Sequence, residues 1–150
     1  MDSTQQRARP IAGLIAAIVL LPLLGGALAM WISPPMGVSQ SEIGLMLCGY
    51  AAVILAFLGG VRWGVEISRR DAPRSAIMLF SALPPLIALC GAAAAMLLGP
   101  RWGFVMVIAA FAILAAWDMR SQALPGWIGW LRTGISVGAV LSMLVAIVGS

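Results

Sequence analysis

The sequence contains no histidine and no lysine, and only 9% of its 150 residues are charged, compared with about 25% in soluble domains. Without imidazole the chain cannot build a Ser-His-Asp or Cys-His pair, a His-ligated haem or the common catalytic zinc sites. The two cysteines, Cys48 and Cys90, lie inside apolar runs and are expected to pack as small hydrophobic residues. We therefore expect no catalytic residue, no cofactor and no metal site, and we predict that the protein is not an enzyme.

Apolar residues make up 62% of the chain, more than a soluble domain of this size can bury. They fall into five long runs, and about 20 apolar residues are needed for one helical crossing. The sequence predicts an all-α integral membrane bundle of five transmembrane helices in a single domain, 1–150, with helices at 11–32, 43–65, 77–98, 103–117 and 128–148. The fourth run is short, since 15 residues rise only about 22 Å in a helix.

The first apolar run has two possible interpretations. Arg7 and Arg9 precede it, and Ala27-Leu28-Ala29 is a small-x-small pattern typical of a secretory signal. However, the run is longer than the 7–15 residues of a signal core, and Trp31 stands where an interfacial anchor is expected. We favour an uncleaved helix.

Arginines are distributed unequally between the two predicted faces of the membrane. Six lie on the side of the N-terminus and one, Arg101, on the other: Arg7, Arg9, Arg69, Arg70, Arg74 and Arg120 form the larger set. The positive-inside rule predicts an N-terminus in the cytoplasm, or on the equivalent matrix side, and an external C-terminus. Because the arginines form no continuous stripe, we expect no nucleic acid partner.

Small residues recur at four-residue spacing in several predicted spans, which lets helix backbones approach closely in lipid. Span two carries Ala52, Ala56, Gly60 and Gly64, and span five carries Gly134, Gly138, Ser142 and Ala146. We expect both faces to lie inside the bundle, with homodimerisation as the alternative. The full set of candidate packing or interaction residues is Gly59, Gly60, Trp63, Gly64, Pro84, Pro85 and Trp127.

Four charged residues occur at similar depth near the cytoplasmic end of the predicted spans. Arg62 and Glu66 are four residues apart on span two and can share a helix face. Asp118 and Arg132 are candidates to pair between spans four and five. We predict one polar network of these four residues. The alternative is that the arginines extend to the interface as anchors.

Span three contains Pro84-Pro85, which cannot donate backbone hydrogen bonds and should kink the helix. Broken helices line substrate sites in transporters, whereas prolines also occur in ordinary membrane helices. We favour the structural interpretation.

Several segments of the chain carry a family resemblance. They are the run Phe57-Leu58-Gly59-Gly60-Val61-Arg62-Trp63-Gly64, then 81–85, Asp118, 124–127 and 131–133. In these segments the chain resembles the transmembrane protein 69 family, found in bacteria and mitochondria. The resemblance implies a five-helix protein of the bacterial or mitochondrial inner membrane with no established activity. Gly126 and 128–130 depart from the family's more aromatic and basic approach to span five.

Two classes of function fit the sequence. A non-enzymatic accessory or assembly protein of a larger membrane complex is favoured by small size, small-residue faces and the near absence of extramembrane segments. Its partners would be the lipid bilayer and other integral membrane proteins. The alternative is a small transporter or channel for a small solute or lipid, which would use the polar network together with the Pro84-Pro85 kink.

Overall fold

The computed structural model describes residues 3–32, 37–69, 71–120 and 126–150. The described residues form five helices and no strand. Each helix contains a segment long and apolar enough to cross a membrane, as the sequence predicts. The helices are α1 (Ser3–Ala29), α2 (Gln40–Arg69), α3 (Ser75–Leu98), α4 (Pro100–Arg120) and α5 (Gly126–Val148).

Each predicted segment falls on one helix, but the helix ends differ from the prediction. The segment 103–117 is only the apolar centre of α4, which has 21 residues and rises about 31 Å, enough to span the hydrocarbon. Pro100 starts this helix because a proline at the first helical position loses no intrahelical hydrogen bond. In contrast, α1 ends at Ala29 although the apolar run continues to residue 32. Hydropathy therefore identifies each helix but not the residues at which it begins and ends.

The helices form a ring in chain order. Each packs against the next, α5 closes the ring on α1, and α2 also contacts α4 across the centre. Only 11% of the apolar segment of α1 is buried, compared with 50% of that of α2. The first helix is therefore the most peripheral member of the bundle.

Polar contacts join the helix ends on one side of the bundle. Gln40 donates to the carbonyls of Met30 and Gly149, and Trp31 Nε1 donates to the carbonyl of Val145. The end of α1, the start of α2 and the end of α5 therefore lie together. The start of α1, the end of α2, the start of α3, the end of α4 and the start of α5 lie at the other end, called here the arginine-rich end.

The buried residues of α2, α4 and α5 follow alternating steps of three and four residues. This spacing keeps side chains on one face of a helix, as in a coiled-coil seam. These three helices supply most of the core. Their stripes comprise Cys48, Ala51, Leu55 and Leu58 on α2, Phe104, Val107, Phe111 and Leu114 on α4, and Ile135, Ala139, Ser142 and Ala146 on α5.

The connection between α3 and α4 consists of Gly99 alone. Its φ of 104° is accessible to glycine but strained for other residues, so a single residue reverses the chain. Below this turn, Gly103 packs against the carbonyl of Gly91, where a Cβ atom would come within 2.6 Å of the oxygen. The two helices therefore form a tight antiparallel hairpin.

Pro84 and Pro85 lie within α3, whose helical geometry continues from Ser75 to Leu98. Pro85 has no N–H group, so the carbonyl of Ser81 loses its usual helical donor. Gly59 of α2 lies against this carbonyl, and a Cβ atom on Gly59 would be 2.5 Å from its oxygen. Two of the predicted packing residues, Gly59 and Pro85, therefore take part in the same contact between α2 and α3.

The prediction that the Ala52, Ala56, Gly60 and Gly64 face lies inside the bundle is wrong for most of its length. Only Ala52 is buried, and no atom of the described residues lies within 4 Å of a Cβ position on Gly60 or Gly64. On α5 the same spacing buries Ser142 and Ala146 but leaves Gly134 exposed. The reason is geometric, because each four-residue step turns about 40° around the helix axis. Three such steps carry the face from the core to the outside, whereas the alternating three- and four-residue stripe stays inside.

Gly59 and Gly60 provide a matched test of this geometry. Gly59→Ala should decrease the free energy of unfolding by about 1–3 kcal/mol, because the new methyl group overlaps the Ser81 carbonyl. Gly60→Ala should leave it unchanged or increase it by about 0.5–1 kcal/mol, since alanine is the better helix former and the space is open. Thermal melting of both variants in mild detergent measures the difference, and equal shifts would contradict the proposed packing of α2 on α3.

Candidate functional site

Three of the four predicted network residues continue the buried stripes of their helices. Arg62 follows Leu58 by four residues, Asp118 follows Leu114 by four, and Arg132 precedes Ile135 by three. The stripes therefore carry these charged side chains into the core at the arginine-rich end. The exposed fraction is 4% for Arg62 and 2% for Arg132.

Asp118 is the centre of the site because both arginines bind its carboxylate. Arg62 donates to Oδ1 from Nε at 2.8 Å and from Nη2 at 2.5 Å. Arg132 donates to Oδ2 from Nε at 2.9 Å and, more weakly, to Oδ1 from Nη2 at 3.4 Å. Charged hydrogen bonds of this kind are stronger than neutral ones. One carboxylate thus joins α2, α4 and α5.

Arg132 also binds the backbone of α2. Its Nη1 donates to the carbonyl oxygen of Leu58 at 2.7 Å. This contact holds α5 to α2 directly, one turn before Arg62 on the same stripe. The sequence does not predict it, because a backbone carbonyl inside a helix has no sequence signature.

Trp117 covers the Arg62 guanidinium. The Cζ atom of Arg62 lies 4.0 Å from the centroid of the Trp117 ring, a distance typical of a cation–π interaction. The edge of Phe80 on α3 packs against the same ring, with centroids 6.3 Å apart and planes at 67°. Tryptophans near the ends of membrane spans are typical of the interface, but the ring of Trp117 is also part of the site. Its position next to Asp118 is the only sequence signal for this role.

Glu66 lies at the edge of the site and binds the loop that follows α2. Its Oε1 accepts hydrogen bonds from the backbone nitrogen of Arg74 at 3.0 Å and from Arg74 Nε at 3.1 Å. Glu66 is buried, while half of the Arg74 side chain is exposed. Among the described residues, Arg62 forms an ion pair with Asp118 and Glu66 forms one with Arg74.

The two predicted tryptophans lie at the rim of the arginine-rich end. Trp63 donates from Nε1 to the carbonyl of Met78 at 2.8 Å and so adds a further contact between α2 and α3. Trp127 lies at the start of α5, and the centroid of its ring is 5.9 Å from the Cζ atom of Arg9. Both rings contact other helices of the same chain, which is consistent with a packing role.

The site consists of fixed charges that satisfy one another. Among the described residues, two guanidinium groups and one carboxylate share five hydrogen bonds with each other and with a backbone carbonyl. Within the described ranges, no group of three His, Cys, Asp or Glu residues is arranged to hold a metal ion. The arrangement is suited to fixing helices relative to one another.

The network predicts a large penalty for removing one of its arginines. Arg62→Ala leaves Asp118 with a single buried partner and should decrease the free energy of unfolding by about 3–5 kcal/mol. Arg101→Ala is the control, because Arg101 is exposed at the opposite end, where it binds Ser150, and should cost about 1 kcal/mol or less. Melting temperatures in detergent compare the two, and similar small losses would show that Arg62 only anchors the helix end.

Comparison with known proteins identifies a family for this chain, but the function of that family is unknown. The sequence profile of the family described as "Protein of unknown function (DUF3429)" matches residues 8–148, which include all of the site residues. Comparisons with curated proteins and with solved structures find no match. The match covers almost the entire sequence, and the chain belongs to the DUF3429 family of proteins of unknown function.

Proposed function

We propose that this protein is a non-enzymatic accessory or assembly factor that acts by contact with other integral membrane proteins. The proposal rests on the outward face of α2. Gly60 and Gly64 are exposed there, and no atom of the described residues lies within 4 Å of a Cβ position on either. Small residues at this spacing let a neighbouring helix approach closely. The face is therefore open to a helix of a partner protein.

The internal site supports the same proposal. Arg62, Asp118 and Arg132 are bound to each other inside the bundle, and the contact to Leu58 fixes their orientation. A rigid bundle presents a constant outer surface, which a docking protein requires. The transporter alternative would instead require this network to open and close around a solute.

We further propose that the protein resides in the bacterial inner membrane and that its family is the transmembrane protein 69 family, which its motifs resemble. The five apolar helices support a membrane location, and the unequal distribution of arginines supports a cytoplasmic N-terminus and an external C-terminus.

Gly60→Leu tests the contact with partners. The side chain would project from α2 into the space that the partner helix occupies, so co-purification of a stoichiometric partner from native membranes should be lost. The melting temperature of the isolated protein should stay close to wild type, because the chain itself has no atom near this position.

Gly134→Leu is the matched control for this experiment. Gly134 is also exposed, with nothing within 4 Å of a Cβ position, but it lies on α5. This variant should retain the partner. If wild type recovers no partner, or if Gly60→Leu recovers as much as Gly134→Leu, the accessory proposal is wrong. Solute flux into liposomes that is lost in Asp118→Asn would establish the transporter alternative.

The orientation is tested by fusions at Ser150. With five crossings and a cytoplasmic N-terminus, alkaline phosphatase at the C-terminus should be active and a fluorescent protein that folds only in the cytoplasm should be dark. The opposite pattern would place the C-terminus inside. A fusion in the α2–α3 loop after Asp71 should show the reverse activities and serves as the internal control.

A further inference from the structure

A groove runs along the outside of the bundle between α4 and α5. It has a volume of about 310 Å³ and is lined mainly by small and apolar side chains, among them Ala112, Ala115, Ala116, Ser136, Val137 and Val140. It extends from the arginine-rich end toward the middle of the bundle. Its long, narrow, apolar form is suited to a hydrocarbon chain.

Ser136 gives the groove a polar group that the bundle does not satisfy. Its side chain is 1% exposed, and its hydroxyl has no hydrogen-bond partner among the described residues. Serines in membrane helices usually donate to the carbonyl four residues earlier. Ser81 and Ser142 do so here, with Ser81 Oγ bound to Ile77 and Ser142 Oγ to Gly138. Ser136 differs from both and is the one that lines the groove.

A cation and an aromatic ring lie nearer the arginine-rich end on the two helices that form the groove. Arg120 follows Ala116 by four residues and so continues the groove face of α4 to the end of the helix. It is exposed and forms no hydrogen bond or ion pair with any residue in the described part of the chain. Trp130 precedes Val137 by seven residues, is 80% exposed, and lies on the groove side of α5.

From these features we propose that the α4–α5 groove binds a phospholipid with an anionic headgroup, from the leaflet at the arginine-rich end. The phosphate contacts Arg120, and an ester group just below it accepts a hydrogen bond from Ser136. An acyl chain lies against Ala112 and Val140. The order of groups along the groove, from cation through hydroxyl to apolar wall, matches the order of groups along the lipid. Charge complementarity at Arg120 favours an anionic headgroup over a zwitterionic one.

Native mass spectrometry of the delipidated full-length protein tests this proposal. The protein is titrated with phosphatidylglycerol and with phosphatidylcholine of identical acyl chains. Wild type should retain one phosphatidylglycerol, with a preference of about fivefold over phosphatidylcholine, the size expected for one arginine beside an anionic headgroup.

The variants separate the three parts of the groove. Arg120→Gln should abolish the headgroup preference, and Arg120→Lys should retain it. Ser136→Ala should weaken the binding of both lipids to the same extent. It should leave the melting temperature unchanged, because the hydroxyl has no hydrogen-bond partner among the described residues. Ala116→Phe fills the groove and should prevent retention of either lipid.

Ala82→Phe is the control for groove filling, because Ala82 lines a different groove, between α2 and α3 at the same end. It should retain the lipid as wild type does. The proposal would be overturned if wild type retained the two lipids equally. It would also be overturned if Ala82→Phe lost as much bound lipid as Ala116→Phe. A wild-type dimer that Ala116→Phe converts to a monomer would overturn it too, since the occupant would then be a second copy of this chain.

Discussion

The arrangement of the bundle depends on one carboxylate. Asp118 binds Arg62 and Arg132 together, and these three residues belong to the three helices that supply most of the core. A buried carboxylate or guanidinium is costly in a bilayer unless it is paired, so the three helices must keep the register that places the charges side by side. Apolar packing alone tolerates sliding of one helix along another. The ion pairs select one register among those that the apolar stripes allow.

The sequence predicts the centre of this site but not its periphery. Arg62, Asp118 and Arg132 can be grouped from their common depth, and the structure adds the reason, since each takes the next position of a buried stripe. A common depth also predicts that Glu66 belongs to this group, but the structure shows its carboxylate bound to Arg74. The depth of a residue in the bundle can be predicted from its position along a helix. A binding partner in a loop cannot be predicted in this way, because its position depends on the path of the chain. The same limit applies to the Leu58 carbonyl, which carries no residue-specific signal.

Glycine spacing is informative only when its rotation around the helix is considered. Gly59 and Gly60 are neighbours in a run that resembles a family motif, but one lies against α3 and the other faces outward. The close contact at Gly59 involves the Ser81 carbonyl, which Pro85 cannot engage. A proline on one helix and a glycine on another thus contribute to a single interface. Neither residue predicts from the sequence that the other is its neighbour, so the contact is seen only in the three-dimensional structure.

The sequence separation within the ion-pair network has a consequence for biosynthesis. Arg62 and Asp118 are 56 positions apart, so α2 leaves the ribosome well before its counter-charge. At about 5–20 residues per second, this delay is roughly 3–11 seconds. During this time the arginine can extend to the headgroup region, where water and phosphate satisfy it. The pairing with α4, and then with α5, moves that charge away from the membrane surface, so Arg62 can be buried in its ion pair only after α4 has been synthesised.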